Sequence, residues 1–113
     1  MLYLSERDRG FILLILESIS KILSFTENVT GPEEFYQDQK TFDAVLMNFV
    51  VIGETAGKLE ANSLKILTEI PWRQVIAFRN IIAHDYMGVD PEAVWEIIKW
   101  DIPDLQSKLN NKL

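Results

Sequence analysis

The stretch "RQVIAFRNIIAHDY", residues 73–86, decides how the chain is read: its apolar spacing is helical, yet it holds an arginine, an amide and the only histidine. At about 100° per residue, Val75, Phe78 and Ile82 fall on one apolar arc. Asn80 and His84 are four apart and share a polar sector with Arg73. Arg79 belongs to neither set. It falls between Val75 and Ala83, where an unpaired buried guanidinium is very costly. It must therefore reach a carboxylate, emerge at a subunit boundary or line a cleft. Glu54, on the preceding helix, is one candidate partner. Each residue also has a plainer reading. An arginine in an apolar stripe commonly forms a structural ion pair, and a lone histidine near a helix end is commonly a surface or capping residue. Tyr86 taken alone is an amphipathic residue at the edge of the core.

Outward from this stretch the helical spacing continues. Pro71 opens the helix, which is expected to reach about Tyr86 with Gly88 as its C-terminal cap. Asp90 and Pro91 read as N-cap and first residue of the next helix, with Val94, Trp95, Ile97 and Ile98 on its apolar face. Pro103 either kinks that helix or opens a short last one through Leu105 and Leu109. Upstream, Ser5 followed three residues later by Asp8 is a variant of the capping box. It predicts a first helix carrying Phe11, Ile12, Ile15, Leu16, Ile19, Ile22 and Leu23 and ending near 25–27, before Thr30, Gly31 and Pro32. A short helix over 33–38 leads into a long one over 39–59. The buried stripe of the long helix is Phe42, Val45, Leu46, Phe49, Ile52, Gly53, Ala56 and Leu59. Gly53, Ala56 and Gly57 are small enough for a neighbouring helix to come close. Residues 60–70 read as a connection. No strand pattern, repeat or linker interrupts the chain. The expected fold is all-α: one domain over 1–113, an antiparallel four-helix bundle with short extra helices.

Composition narrows the function. Of the 113 residues, 48% are hydrophobic and 25% charged, which is globular. Cysteine is absent, so disulfides and thiolate metal sites are excluded. The net charge of −6, with no run of lysine or arginine, argues against broad electrostatic binding of nucleic acid. A small site handling one phosphate through a focused arginine is compatible with it. The opening "MLYLSERDRG" is not read as a signal peptide, and the apolar run at 11–16 is too short to span a bilayer. A soluble, cytoplasmic protein is expected. No phosphate-binding glycine loop, metal-ligand cluster or Ser/His/Asp signature is visible.

Arg79, Asn80 and His84, with Tyr86 two residues on, form a motif that resembles the HepT-like proteins, a branch of the HEPN superfamily. The similarity covers nearly the whole chain: "ILESISKILSFTE" (15–27), "FYQDQKTFDAV" (35–45), "VIGETAGKL" (51–59), "IPWRQVIAFRNIIAHDY" (70–86) and "VWEIIKWDIPDL" (94–105) resemble family segments in family order. "IPWR" just upstream of the motif is the most specific of these. Thr55 and Gly57 depart from the residues common in relatives, outside the motif.

The resemblance implies a toxin of a two-gene toxin–antitoxin pair. It implies a metal-independent endoribonuclease working as a homodimer, with the motifs facing a shared cleft and no cofactor of its own. Arg79, Asn80 and His84 are then the catalytic residues, with Glu54 and Arg73 as candidate supporting groups. The implied partner resembles a minimal nucleotidyltransferase, the MntA antitoxin, which uses ATP and Mg²⁺ to attach AMP to the motif tyrosine, here Tyr86. The alternative is a non-catalytic HEPN module that serves as a scaffold for such a nucleotidyltransferase.

Overall fold

The computed structural model describes residues 3–113, so the first two residues of the N-terminal stretch lie outside the described residues. Helix α1 spans Glu6–Thr26. Its start is set by Ser5, whose hydroxyl accepts from the Asp8 N–H at 3.0 Å. Ile12, Ile15, Ile19 and Ile22 recur at three and four residues and are fully buried. At the far end the Thr26 hydroxyl turns back onto the Ile22 carbonyl at 2.8 Å.

Helix α2, Pro32–Gln37, begins on proline and buries Phe35 completely. That ring lies 5.1 Å from Phe42 and 5.8 Å from Trp95, locking α2 onto two later helices. Asp38 caps helix α3, Gln39–Ala56, by accepting from the Thr41 N–H at 3.2 Å. Helix α3 is the centre of the bundle, packed against α1 on one side and against α5, Trp72–His84, on the other. The core lies between these helices, with Ile12, Ile15 and Ile19 of α1, Val45, Phe49 and Ile52 of α3 and Ile82 of α5 buried in one cluster.

Helix α3 stops at Ala56, before the expected Leu59, and residues 60–70 are not a plain connection. Ala61–Ile66 form helix α4. The cause lies on α1. Asp8 does not complete a capping box. Its fully buried carboxylate accepts from the Glu60 N–H at 2.8 Å and the Ser63 hydroxyl at 2.6 Å. Arg7 donates to the Lys58 carbonyl at 3.1 Å. The chain after α3 is thus bound to the start of α1, and a new helix starts from that anchor.

The last helical stretch runs from Pro91 to Asn110 in three parts. Helix α6, Pro91–Glu96, is capped by Asp90, and helix α7 spans Ile102–Asn110. Between them Ile97–Asp101 form a π-helical turn. Proline at 103 lacks an N–H and its ring crowds the carbonyl one turn back. The wider turn, with the Ile102 N–H bonded to the Ile97 carbonyl, absorbs this without ending the helix. Four principal helices, α1, α3, α5 and α6–α7, therefore make the all-α bundle, and α2 and α4 are the short additions.

Helix α5 uses its apolar arc within the chain. Ile82 is in the core at 3% exposure, and Phe78 meets Phe49 edge-on at 5.1 Å. Ile82 is thus enclosed by its own chain, and Val75 and Phe78 pack against the same core. The exposed apolar side chains here are Ile81 on α5 and Met47 and Val51 on α3. Among the described residues no helix is long and apolar enough to cross a membrane.

Candidate active site

Arg79 reaches the surface along the seam between α3 and α5. Its guanidinium forms an ion pair with Glu54 of α3 through Nη2 and donates from Nη1 to the Asn80 Oδ1 at 3.0 Å. The side chain stays 31% exposed. Its position depends on Gly53. A Cβ there would overlap Arg79 Cβ and Cγ and touch the Val75 carbonyl at 3.4 Å. Glycine thus lets the root of Arg79 lie on the α3 backbone, and the next residue supplies the carboxylate. The Arg79 Nε is buried with no hydrogen-bond partner.

Asn80 is exposed. Because its oxygen accepts from Arg79, its amide NH₂ is left as an outward donor. His84 is exposed in the last turn of α5, one turn beyond Asn80. The structure thus brings Arg79, Asn80 and Glu54 into direct contact, with His84 next along the helix. Arg73 is exposed on the same face but lies eleven residues before His84. At 1.5 Å per residue that is about 16 Å along the axis from His84, and about 9 Å from Arg79.

Tyr86 is placed differently from expectation. Helix α5 ends at His84, so the tyrosine is not on it. Asp85 leaves helical geometry at φ −147°, ψ 64°, and its carboxylate accepts from the Gly88 N–H at 3.1 Å. This local bond competes with the helix and starts the 3₁₀ turn Tyr86–Gly88. Gly88 is not a left-handed helix cap, since no described residue has positive φ. A Cβ there would meet the Asp85 carboxylate, the end of an exposed side chain. The turn folds Tyr86 back onto α3. Its ring sits edge-on to Phe42 at 6.3 Å, and its hydroxyl donates to the Asp43 carboxylate. Gln39 donates to the same Asp43 oxygen at 2.8 Å.

Asp43 and Gln39 were not legible as site residues. Their only sequence signal is a spacing of four at the start of a helix, which many surface pairs share. Glu54 and Asp43 are eleven residues apart, three turns of α3, so one helix presents a carboxylate to Arg79 and another to Tyr86.

Comparison with known proteins bears on the family of the chain. The profile of the family described as "Ribonuclease HepT-like" matches residues 15–111. A Thermococcus cleftensis protein named "Probable ribonuclease HepT" is 36% identical over 94 residues, covering 83% of this chain and 84% of its own. Two Methanocaldococcus jannaschii proteins are also similar. "Putative RNase MJ1380" is 29% identical over 94% of this chain and 97% of its own length. "Putative RNase MJ0127" is 32% identical over 85% and 78%. No solved structure matches. With its motif at the end of α5 and its match to the family profile over nearly its whole length, the chain belongs to the ribonuclease HepT-like family of HEPN proteins.

Proposed function

We propose that the protein is a metal-independent endoribonuclease and the toxin of a toxin–antitoxin pair. The observation that carries this reading is Arg79: a guanidinium held by Glu54 and Asn80 in an otherwise apolar seam, one turn from an exposed imidazole. The nucleophile is the RNA 2′-hydroxyl. Its oxygen bonds to the adjacent phosphorus while an imidazole takes its proton. The bond to the 5′-oxygen breaks, and that oxygen leaves with a proton from a second acid. Arg79 offsets the charge gathered on the phosphorane, and the free Asn80 amide donates to a phosphate oxygen.

One chain supplies a single imidazole, so the working unit is a homodimer with a His84 from each subunit at a common cleft. Met47, Val51 and Glu54 share a face of α3 at intervals of four and three residues. The two apolar side chains on that face are exposed, which gives a pairing surface beside Arg79. The antitoxin is a minimal nucleotidyltransferase of the MntA type that transfers AMP from ATP, with Mg²⁺, to Tyr86. Adenylate there adds bulk and negative charge where an RNA phosphate has to enter. Such a toxin works in the cytoplasm, where its RNA targets are.

A second reading is favoured by one feature. Arg79 and Tyr86 each already meet a carboxylate of the same chain, whose net charge is −6. A protein that only docks its nucleotidyltransferase would need no access for RNA. One experiment separates the two. Purified protein is incubated with RNA in EDTA and the product ends are mapped. Cleavage predicts 2′,3′-cyclic phosphate and 5′-hydroxyl ends that vanish in His84→Ala. Intact RNA, or cleavage that persists in His84→Ala, refutes the ribonuclease assignment.

A further inference from the structure

Asp43 has no part in the cleavage chemistry, yet it holds the hydroxyl of Tyr86. We infer that Asp43 is the general base for nucleotidylation of Tyr86: the substrate protein carries the base for its own modification. This rests on the proposed modification of Tyr86 and adds the residue that enables it.

A phenol has a pKa of about 10, so at neutral pH almost none is phenolate, and an un-ionised phenol attacks phosphorus poorly. A general base corrects this if it sits within hydrogen-bond reach of the proton it removes. Asp43 does so, accepting directly from the Tyr86 hydroxyl. The carboxylate is itself oriented, since Gln39 donates to it at 2.8 Å. The phenol is held as well. The Phe42 ring braces it edge-on, and the Asp85–Gly88 turn fixes its backbone. Tyr86 remains 37% exposed, so a second protein can reach it.

The other tyrosines supply the contrast. Tyr3 and Tyr36 are more exposed, at 73% and 56%. Among the described residues, Tyr86 is the one tyrosine whose hydroxyl meets a carboxylate. Accessibility alone would favour the other two. The Asp43 pairing is what makes Tyr86 the better nucleophile.

The step balances with a nucleoside triphosphate as co-reactant. The Tyr86 oxygen bonds to the α-phosphorus, the bond from that phosphorus to the bridging oxygen breaks, and pyrophosphate leaves. The phenolic proton passes to Asp43 and from there to solvent.

The test uses the protein, a minimal nucleotidyltransferase of the MntA type, Mg²⁺ and ATP labelled at the α-phosphate. Asp43→Asn keeps a hydrogen-bond acceptor of the same shape but removes the base. Transfer is expected to slow about 100-fold or more, with an unchanged melting temperature because Asp43 is exposed. Asp43→Glu should return it to within about tenfold of the parent, since a base is again present. A ring-fluorinated tyrosine at 86, whose phenol ionises near neutral pH, should restore transfer in Asp43→Asn. A purely positional role for Asp43 would not give that rescue. Transfer at the parental rate in Asp43→Asn, or a loss that the fluorinated phenol does not repair, overturns the assignment of Asp43 alone. Absence of transfer onto the parent, or undiminished transfer onto Tyr86→Phe, removes the modification of Tyr86 and this proposal with it.

Discussion

Gly53 on α3 lies directly against the root of Arg79 on α5, with no room for a methyl group between them. The two helices can approach this closely only because residue 53 has no side chain. The approach brings Glu54, the next residue, to the guanidinium. Gly53→Ala forces the helices apart or pushes Arg79 out of line. Overpacking of this kind costs about 1–3 kcal/mol. The expected result is a lower melting temperature and a cleavage rate reduced beyond what the lost stability explains. Thermal melts with single-turnover cleavage well below the melting temperature check this. Parental activity in Gly53→Ala would show that the position of Arg79 is not critical.

Glu54→Gln separates holding Arg79 from folding. The pair is partly open to water, with side-chain exposures of 31% and 47%. Ion pairs of this kind contribute under about 1 kcal/mol, so the melting temperature should barely move. The guanidinium loses its charged anchor, and cleavage is expected to fall by about tenfold. Equal rates for Glu54→Gln and the parent would make the pair a bystander.

Asp8 gives the opposite pattern. Its carboxylate is fully buried and accepts from the Glu60 N–H and the Ser63 hydroxyl. Asp8→Ala leaves both donors unpaired. Hydrogen bonds to charged groups are worth about 1.5–3 kcal/mol each, so the loss is about 3 kcal/mol or more. For a chain of this size that lowers the melting temperature by on the order of 10 °C. Activity per folded molecule should remain near parental, because Asp8 holds α4 and not the motif. A melting temperature within about 2 °C of the parent would mean that water replaces the carboxylate at little cost.

The all-α bundle and the long helices were legible because apolar spacing is a local signal. The Ile12–Ile22 stripe, the Asp90–Pro91 start and the small Gly53 all read correctly from neighbours in sequence. Features built from distant partners did not. Asp8 looked like half of a capping box because its partners are more than fifty residues away. Helix α4 was missed for the same reason, since its anchor is on α1. The end of α5 was placed two residues late because the Asp85 side-chain bond to Gly88 outcompetes another helical turn. In the candidate site, Arg79 stood out because it interrupts an apolar stripe, and Asn80 and His84 were singled out by the motif they form with it, which resembles the HepT-like family. Asp43 did not, because a carboxylate on an exposed helix face looks like any other until the turn at 85–88 folds a tyrosine onto it.

The lone histidine gives the sharpest test of the proposed mechanism. In-line cleavage needs a base at the 2′-oxygen and an acid at the 5′-oxygen. His84 is exposed at the end of α5 and is the only imidazole in the chain. If two subunits share one cleft, each active site uses both copies. A mixed dimer with one His84→Ala subunit then lacks either acid or base in every site and should retain far less than half of the parental rate. If each subunit works alone, the same dimer keeps about half. The mixed species can be isolated by carrying different affinity tags on the two subunits and purifying on both in sequence. Comparing its rate with parental and doubly substituted dimers, in EDTA, distinguishes the outcomes. Retention of about half the activity would refute the shared site and require a second proton-transfer group from the same chain.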